Sequence, residues 1–231
     1  MGTADADAGQ NSAGISLMSN DLIIVQREGA WLTILINRPD KANSLTPDML
    51  VQLRGAFEHA AGDDSVRAVI ITGTGERVFC AGADLKTLYN KTDGPDLWAE
   101  MSEALRNIPV LTIAAINGSC MGGGLTLALG CDIRVGVTEA RFSYPVLKNK
   151  VLPGQYDVDR LHELIGSGRS ASVLLGGHVV SSEDAITWGL IDHLASRVTL
   201  QEACRNLCAT ALQADGAHLK TLKSMLKGCS S

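Results

Sequence analysis

The stretch from Asn117 to Leu125 is the strongest candidate for chemistry in this sequence. Three consecutive glycines, Gly122–Gly124, separate two apolar runs, and this pattern predicts a buried strand, a tight turn and a short internal helix. Glycine allows close approach to the backbone, and amides at a helix N-terminus lack intrahelical partners. Such amides bind an anion, or a carbonyl oxygen that gains negative charge during a reaction. The alternative is a turn with only a packing role.

A second stretch of small residues follows an earlier apolar run. Residues 66–72 are nearly all apolar and predict a strand that is buried on both faces. The segment Val78–Leu85 comes after it and contains Ala81, Gly82 and Ala83, which again bring the backbone close to a neighbour. The sequence therefore offers two backbone bends that could act on one group.

The elements around these bends alternate between strand and helix. Thr46, Pro47 and Asp48 predict a helix start, with Thr46 as N-cap and an acidic residue in the first turn. Helices collect late in the chain, where the pattern predicts them at 158–166, 169–176, 182–188 and 199–213. The prediction is an α/β domain with a helical C-terminal region.

Composition excludes several classes of protein. The 231 residues carry a net charge of −5 with no basic block, which argues against nucleic acid and anionic membranes as partners. The six cysteines form no CxxC pair, so we expect reduced thiols in a cytoplasmic protein and no metal site. Residues 1–18 are small, polar and aperiodic, and we interpret them as a disordered leader or a remnant of cloning.

Four motifs occur in the order that one family uses. They are Ile36–Pro39 ahead of Asn43–Leu45, Phe79–Leu85, Asn117–Gly124 ahead of Cys131–Asp132, and Ala185–Asp192. Together they resemble the crotonase superfamily, the enoyl-CoA hydratase/isomerase family, over about residues 20–227. The resemblance implies a spiral of β-β-α units and a homotrimer or dimer of trimers. It also implies a core at 19–195 and a C-terminal helical trimerisation region at 196–231, about one helix shorter than usual.

The same resemblance implies the ligand and its contacts. The substrate would be an acyl-CoA or acyl-carrier-protein thioester, with coenzyme A as part of the substrate and no separate cofactor. The amides of Ala81 and Gly123 would hold the thioester oxygen. Lys223 would either approach the CoA phosphates or be a solvated lysine on a helix. The other substrate-binding positions are Lys41, Ala42, Ala83, Asp84, Leu85, Gly122, Thr126 and Val146.

The chain departs from the family pattern where the acids should be. Family hydratases use two glutamates, and their positions hold Thr126 and Val146 here, while a third customary position holds Gly154. Neither threonine nor valine accepts a proton near neutral pH. Asp157 is a candidate base and Tyr144 a candidate proton donor. The alternatives are that Asp157 caps a helix beginning at Val158 and that Tyr144, like Tyr156, has a packing role.

These departures predict a lyase or isomerase that stabilises an enolate without hydrating a double bond. Decarboxylation or isomerisation fits, because neither needs the two glutamates. One alternative is a non-catalytic paralogue that binds acyl-CoA. Another is a hydratase whose acid and base come from other positions.

Overall fold

The fold is a spiral in which successive strands alternate between two sheets. A computed structural model describes residues 22–88 and 96–228; the predicted leader lies outside them. The larger sheet has the order β1-β2-β3-β5-β7-β10, and the smaller one β4-β6-β8-β9. The strands are β1 (Ile23–Glu28), β2 (Trp31–Ile36), β3 (Ala68–Gly73), β4 (Val78–Cys80), β5 (Leu111–Ile116), β6 (Ser119–Met121), β7 (Ile133–Val137), β8 (Arg141–Ser143), β9 (Val180–Ser181) and β10 (His193–Ala195).

Helices follow the strand pairs and cover the sheets. They are α1 (Pro47–Gly62), α2 (Leu85–Leu88), α3 (Leu97–Arg106), α4 (Gly123–Gly130), α5 (Gln155–Ile165), α6 (Ser167–Leu174), α7 (Ser182–Trp188), α8 (Leu200–Gln213) and α9 (Gly216–Gly228). The repeat is clear in β3-β4-α2, β5-β6-α4 and β7-β8-α5, where the first strand joins the large sheet and the second the small one. This arrangement confirms the predicted spiral of β-β-α units with a helical C-terminal region. No helix in the described ranges is long and apolar enough to cross a membrane.

The central helix α4 is buried on every side. Its residues Gly124–Leu129 are all buried, which explains why the sequence there is apolar apart from Thr126 rather than amphipathic. Strand β5 contacts this helix and pairs in parallel with β3, and both strands are almost fully buried as well. A rigid interior therefore fixes the N-terminus of α4.

Local signals placed the first helix correctly and the second sheet poorly. Thr46 Oγ1 accepts the Met49 amide at 3.3 Å and Pro47 opens α1, as predicted. By contrast, Ser119–Met121 forms strand β6 within a segment predicted as a turn. Three-residue strands contain too few residues for a recognisable alternation of polar and apolar side chains.

Helix α9 docks onto the core through a buried lysine. The side chain of Lys223 donates to Val110 O at 2.5 Å and to Asp132 Oδ2 at 2.8 Å, and the residue is only 8% exposed. Both sequence predictions for Lys223, a contact to CoA phosphates and a solvated lysine, are therefore wrong. Its ammonium group joins α9 to the start of β5 and the end of α4.

Candidate active site

The N-terminus of α4 presents an amide that has no acceptor in the described part of the chain. Gly122, with φ +51°, turns the chain from β6 into the helix, and its own amide donates to Ser143 O at 2.9 Å. The Gly122 carbonyl accepts the amides of Leu125 and Thr126. Within residues 22–88 and 96–228, no acceptor is found for the amide of Gly123, the first residue of the helix.

The second bend lies directly against the first. Gly82 has φ +92°, a conformation that side chains disfavour, and a Cβ added to it would lie 2.9 Å from Gly123 N. The same Cβ would also meet Met121 O and Gly122 Cα. The two small-residue stretches therefore converge, as the sequence predicted, and glycine is required for that approach.

The amide expected from this second bend is not the one that is free. Ala81 N donates to Ala42 O at 3.0 Å, so the prediction that Ala81 supplies an oxyanion donor is wrong. Leu45 bridges the same segment in parallel, with Leu45 N bonded to Gly82 O at 2.7 Å and Asp84 N bonded to Leu45 O at 2.8 Å. Backbone groups alternate in direction along extended chain, so the Ala83 amide points away from Leu45. The described residues contain no acceptor for it.

Three side chains meet one turn into α4, at the position where family hydratases have the first of their two glutamates. Asp157 Oδ2 accepts two hydrogen bonds at 2.6 Å, one from Thr126 Oγ1 and one from the phenol of Tyr144. The two hydroxyl oxygens are themselves 2.8 Å apart. All three residues are buried, and Asp157 is only 3% exposed. We call this group the Thr126–Tyr144–Asp157 cluster.

Comparison with known proteins decides the family. The family model described as enoyl-CoA hydratase/isomerase matches residues 26–230. The chain belongs to the enoyl-CoA hydratase/isomerase family. It is therefore a member of a family of enzymes that act on acyl-CoA.

Individual relatives agree in sequence and in fold. The chain is 34% identical over 204 residues to YngF of Bacillus subtilis, named as an enoyl-CoA hydratase/isomerase, with 86% of this chain and 78% of YngF covered. It is 30% identical over 190 residues to the short-chain-enoyl-CoA hydratase of Clostridium acetobutylicum, with 80% and 73% covered. The solved structure of Pseudomonas aeruginosa DspI superposes with a TM-score of 0.83 at 32% identity, covering 93% of this chain and 89% of DspI.

The family's expected CoA-binding stretches are tied to the bend that carries Ala83. Arg38 Nη1 donates to Asp84 Oδ2 at 2.8 Å and to the carbonyl of Ser44, joining the loop after β2 to the start of α2. The hydrogen bond from Arg38 lowers the pKa of the Asp84 carboxyl. In the same region Lys41 is exposed, Ala42 has φ +52°, and Leu85 is exposed at the start of α2. The structure therefore brings the predicted substrate-binding residues of both stretches together.

The environment of Asp157 favours its protonated form. Burial raises the pKa of Asp157, and the hydrogen bonds from Thr126 and Tyr144 lower it by less. Burial is also the main reason that the pKa of Tyr144 is raised, and the Asp157 charge acts in the same direction. Asp157 is thus a desolvated carboxyl group that can hold or release a proton closer to neutral pH than an exposed aspartate.

The helix that carries Asp157 begins earlier than the sequence indicated. Helix α5 starts at Gln155, with Gly154 at the N-cap and no side-chain cap. Because Asp157 lies inside the first turn and bonds to the cluster, the prediction that it caps a helix beginning at Val158 is wrong. Tyr156 has a packing role, since the Arg106 guanidinium lies 4.2 Å from its ring centre. Val146 is buried near Tyr144 and brings no titratable group.

The sequence indicated Asp157 and Tyr144 as catalytic candidates and Thr126 only for substrate binding, and the structure places all three in one cluster. A signal was available for Thr126. It stands three residues after Gly123, so the two share one face of the helix. A hydroxyl at that position can donate a hydrogen bond to a carboxylate from another element. The spacing alone does not identify that element.

Proposed function

We propose that this protein acts on an acyl-CoA thioester by holding the thioester oxygen with the amides of Ala83 and Gly123 while an enolate develops. Two observations support this proposal: neither amide has an acceptor in the described part of the chain, and the bends that carry them touch. Donors directed at a developing oxyanion act mainly in the transition state, where each one lowers the barrier by about 3–4 kcal/mol.

The reaction class we propose is isomerisation or decarboxylation rather than hydration. The observation that carries this choice is the 2.6 Å bond between Asp157 Oδ2 and Thr126 Oγ1, which brings one carboxyl group to the family's first acid position. In isomerisation, Asp157 would take a proton from the α-carbon of a 3-enoyl thioester, leave the electron pair in a dienolate, and return the proton to the γ-carbon. A single carboxylate suffices for both transfers.

Decarboxylation uses the same groups in another order. The bond between the α-carbon and the carboxylate of a malonyl-type thioester breaks, its electron pair enters the enolate, and CO₂ leaves. Protonated Asp157 would then deliver a proton to the α-carbon, which agrees with the raised pKa of this group.

One observation favours a second candidate, an acyl-CoA-binding paralogue without catalysis. Both hydroxyls bond the same oxygen of a carboxyl group that is 3% exposed, which is also how a purely structural polar cluster is satisfied. A third candidate, a hydratase with Asp157 as relocated acid and base, has one carboxyl group where family hydratases use two.

A product panel separates these candidates. Purified protein is incubated with a 3-enoyl-CoA, malonyl-CoA, methylmalonyl-CoA and crotonyl-CoA, and with the matching carrier-protein thioesters, and products are identified by mass spectrometry. We expect a 2-enoyl product or the release of CO₂. In Asp157→Asn we expect the rate of product formation to fall by about 100-fold or more. Hydration of crotonyl-CoA as the fastest reaction would favour the relocated hydratase. Binding without any product would favour the paralogue.

The oligomeric assembly and the cellular location are a further part of the proposal. We propose a homotrimer or dimer of trimers in the cytoplasm, with residues 196–231 as the trimerisation region. The family membership supports this proposal. Sedimentation of the purified chain tests it, and a monomer at micromolar concentration would contradict it.

A further inference from the structure

The indole of Trp98 lies on the helix start that carries the proposed donor. A Cβ added to Gly123 would overlap the Cη2 and Cζ3 atoms of the Trp98 ring and lie 3.1 Å from Cζ2. The tip of the six-membered ring therefore rests on the Gly123 backbone. Trp98 is half-buried, so the ring is not simply a core residue.

Packing between two helices fixes this ring in place. Asp96 caps α3, and its Oδ1 accepts the amides of Trp98 and Ala99 at 3.1 and 3.2 Å. Seven residues further on, Leu105 fits against Gly130, where an added Cβ would lie 2.7 Å from Leu105 Cδ2. Trp98 and Leu105 thus occupy two glycine notches of α4 that are also seven residues apart.

The ring position has a consequence for any thioester bound at Gly123. A carbonyl oxygen held by the Gly123 amide places its own carbon, and the first acyl carbons beyond it, a few ångströms from that amide. The space on the Trp98 side is already filled by aromatic carbon. A rigid ring there allows a short acyl group and opposes extension of the chain along that side.

We propose that Trp98 is a specificity-determining residue that restricts this enzyme to short acyl thioesters. This inference rests on the proposed function, because it uses the Gly123 amide as the anchor of the thioester oxygen. Removing the indole opens a volume that additional methylene groups fill, and each buried methylene strengthens binding about fourfold. The effect is on chain-length preference and leaves the chemical step in place.

The test measures binding, so it does not depend on turnover. Dissociation constants of butanoyl-, octanoyl- and dodecanoyl-CoA are measured by calorimetry for the wild type, Trp98→Ala and Trp98→Phe. We expect Trp98→Ala to strengthen the binding of dodecanoyl-CoA relative to that of butanoyl-CoA by about tenfold or more, and Trp98→Phe to have an intermediate effect. Trp188→Ala is the matched control, since Trp188 ends α7 and its ring packs against His178 and the Arg169 guanidinium.

The outcomes distinguish this inference from the proposed function. Circular dichroism and the melting temperature establish that each variant is folded. If Trp98→Ala is not folded, Trp98→Phe is the test variant. An unchanged ratio in the folded Trp98 variants, or an equal change in Trp188→Ala, overturns the inference even if the enzyme turns over. A changed ratio in a protein that yields no product supports the role of Trp98 and overturns the proposed catalysis. No binding of any acyl-CoA overturns both.

Discussion

The two backbone bends and the Thr126–Tyr144–Asp157 cluster meet at the first turn of α4, through Gly123 and Thr126. They nevertheless require different features of the sequence. The bends depend on the absence of side chains, because a Cβ on Gly82 or Gly123 would meet neighbouring atoms. The cluster depends on functional groups that come from three elements, α4, the segment after β8, and α5. A main-chain donor cannot move to another element, whereas a carboxyl group can. In the proposed mechanism, this difference explains how the site keeps its backbone amides while Asp157 supplies the carboxyl group.

The largest expected effect comes from removing one donor of the backbone bends. Gly123→Pro and Gly123→Ala both place a Cβ against Trp98, but only proline removes the amide hydrogen, and proline is tolerated at the first position of a helix. We expect the proline variant to be slower than the alanine variant by about 100- to 1000-fold in kcat/KM.

The alanine variant is the control for crowding in this pair. Equal rates in the two variants would mean that the Gly123 amide is not used in the transition state. In that case the backbone bends have no role in the reaction, and the activity depends on the side-chain cluster alone.

The next effect concerns the side-chain cluster and appears in the pH profile. Tyr144→Phe removes a hydrogen bond that lowers the pKa of Asp157, so this pKa rises further. We expect the limb of the kcat/KM profile that reports Asp157 to move to higher pH, and Thr126→Val to move it in the same direction. Profiles measured over about pH 4 to 9, roughly the range in which carboxyl and histidine groups titrate, would check this. A profile that stays fixed in both variants would mean that Asp157 does not control the rate.

Lys223 provides a reference point outside both regions. Lys223→Met keeps the apolar stem but removes the ammonium group that bonds Val110 O and Asp132 Oδ2. The carboxylate of Asp132 keeps its bonds from the amide and hydroxyl of Thr112, and its side chain is 36% exposed to solvent. We therefore expect a loss of about 1–3 kcal/mol in the free energy of unfolding. Urea denaturation measures this loss. A raised KM for acyl-CoA with unchanged stability would restore Lys223 as a phosphate contact.

The smallest expected effect is the pH dependence of stability that Asp157 contributes. Its folded pKa lies above the ordinary value of 3.8, so the folded state binds the proton more readily than the unfolded state. Stability from this group is therefore present below pH 3.8 and is lost as the pH rises through the folded pKa. Relative to Asp157→Asn, the wild type should gain stability as the pH falls through that range. Asp159→Asn, which removes an exposed acid from the same helix, is the control.

Sequence patterns predicted the frame of this molecule better than its finest contacts. The strand-turn-helix at Gly123, the N-cap at Thr46 and the β-β-α spiral are confirmed, because glycine, capping and family motifs are local signals. At the second bend the amide without an acceptor in the described residues is that of Ala83 and not the predicted Ala81, since the bond from Ala81 to Ala42 depends on how two distant loops pair. The buried role of Lys223 depends in the same way on a partner far away in the chain.

The two glycine notches of α4 make helices α3 and α4 a single stiff unit. Gly123 and Gly130 are about 10 Å apart along the helix axis, and each receives a side chain from α3. A change at Leu105 would therefore tilt the far end of α3 and shift Trp98 without touching any ligand. If Trp98 limits acyl length as proposed, a substitution at Leu105 would change the chain-length preference by moving α3, from two helical turns away and without contacting the thioester.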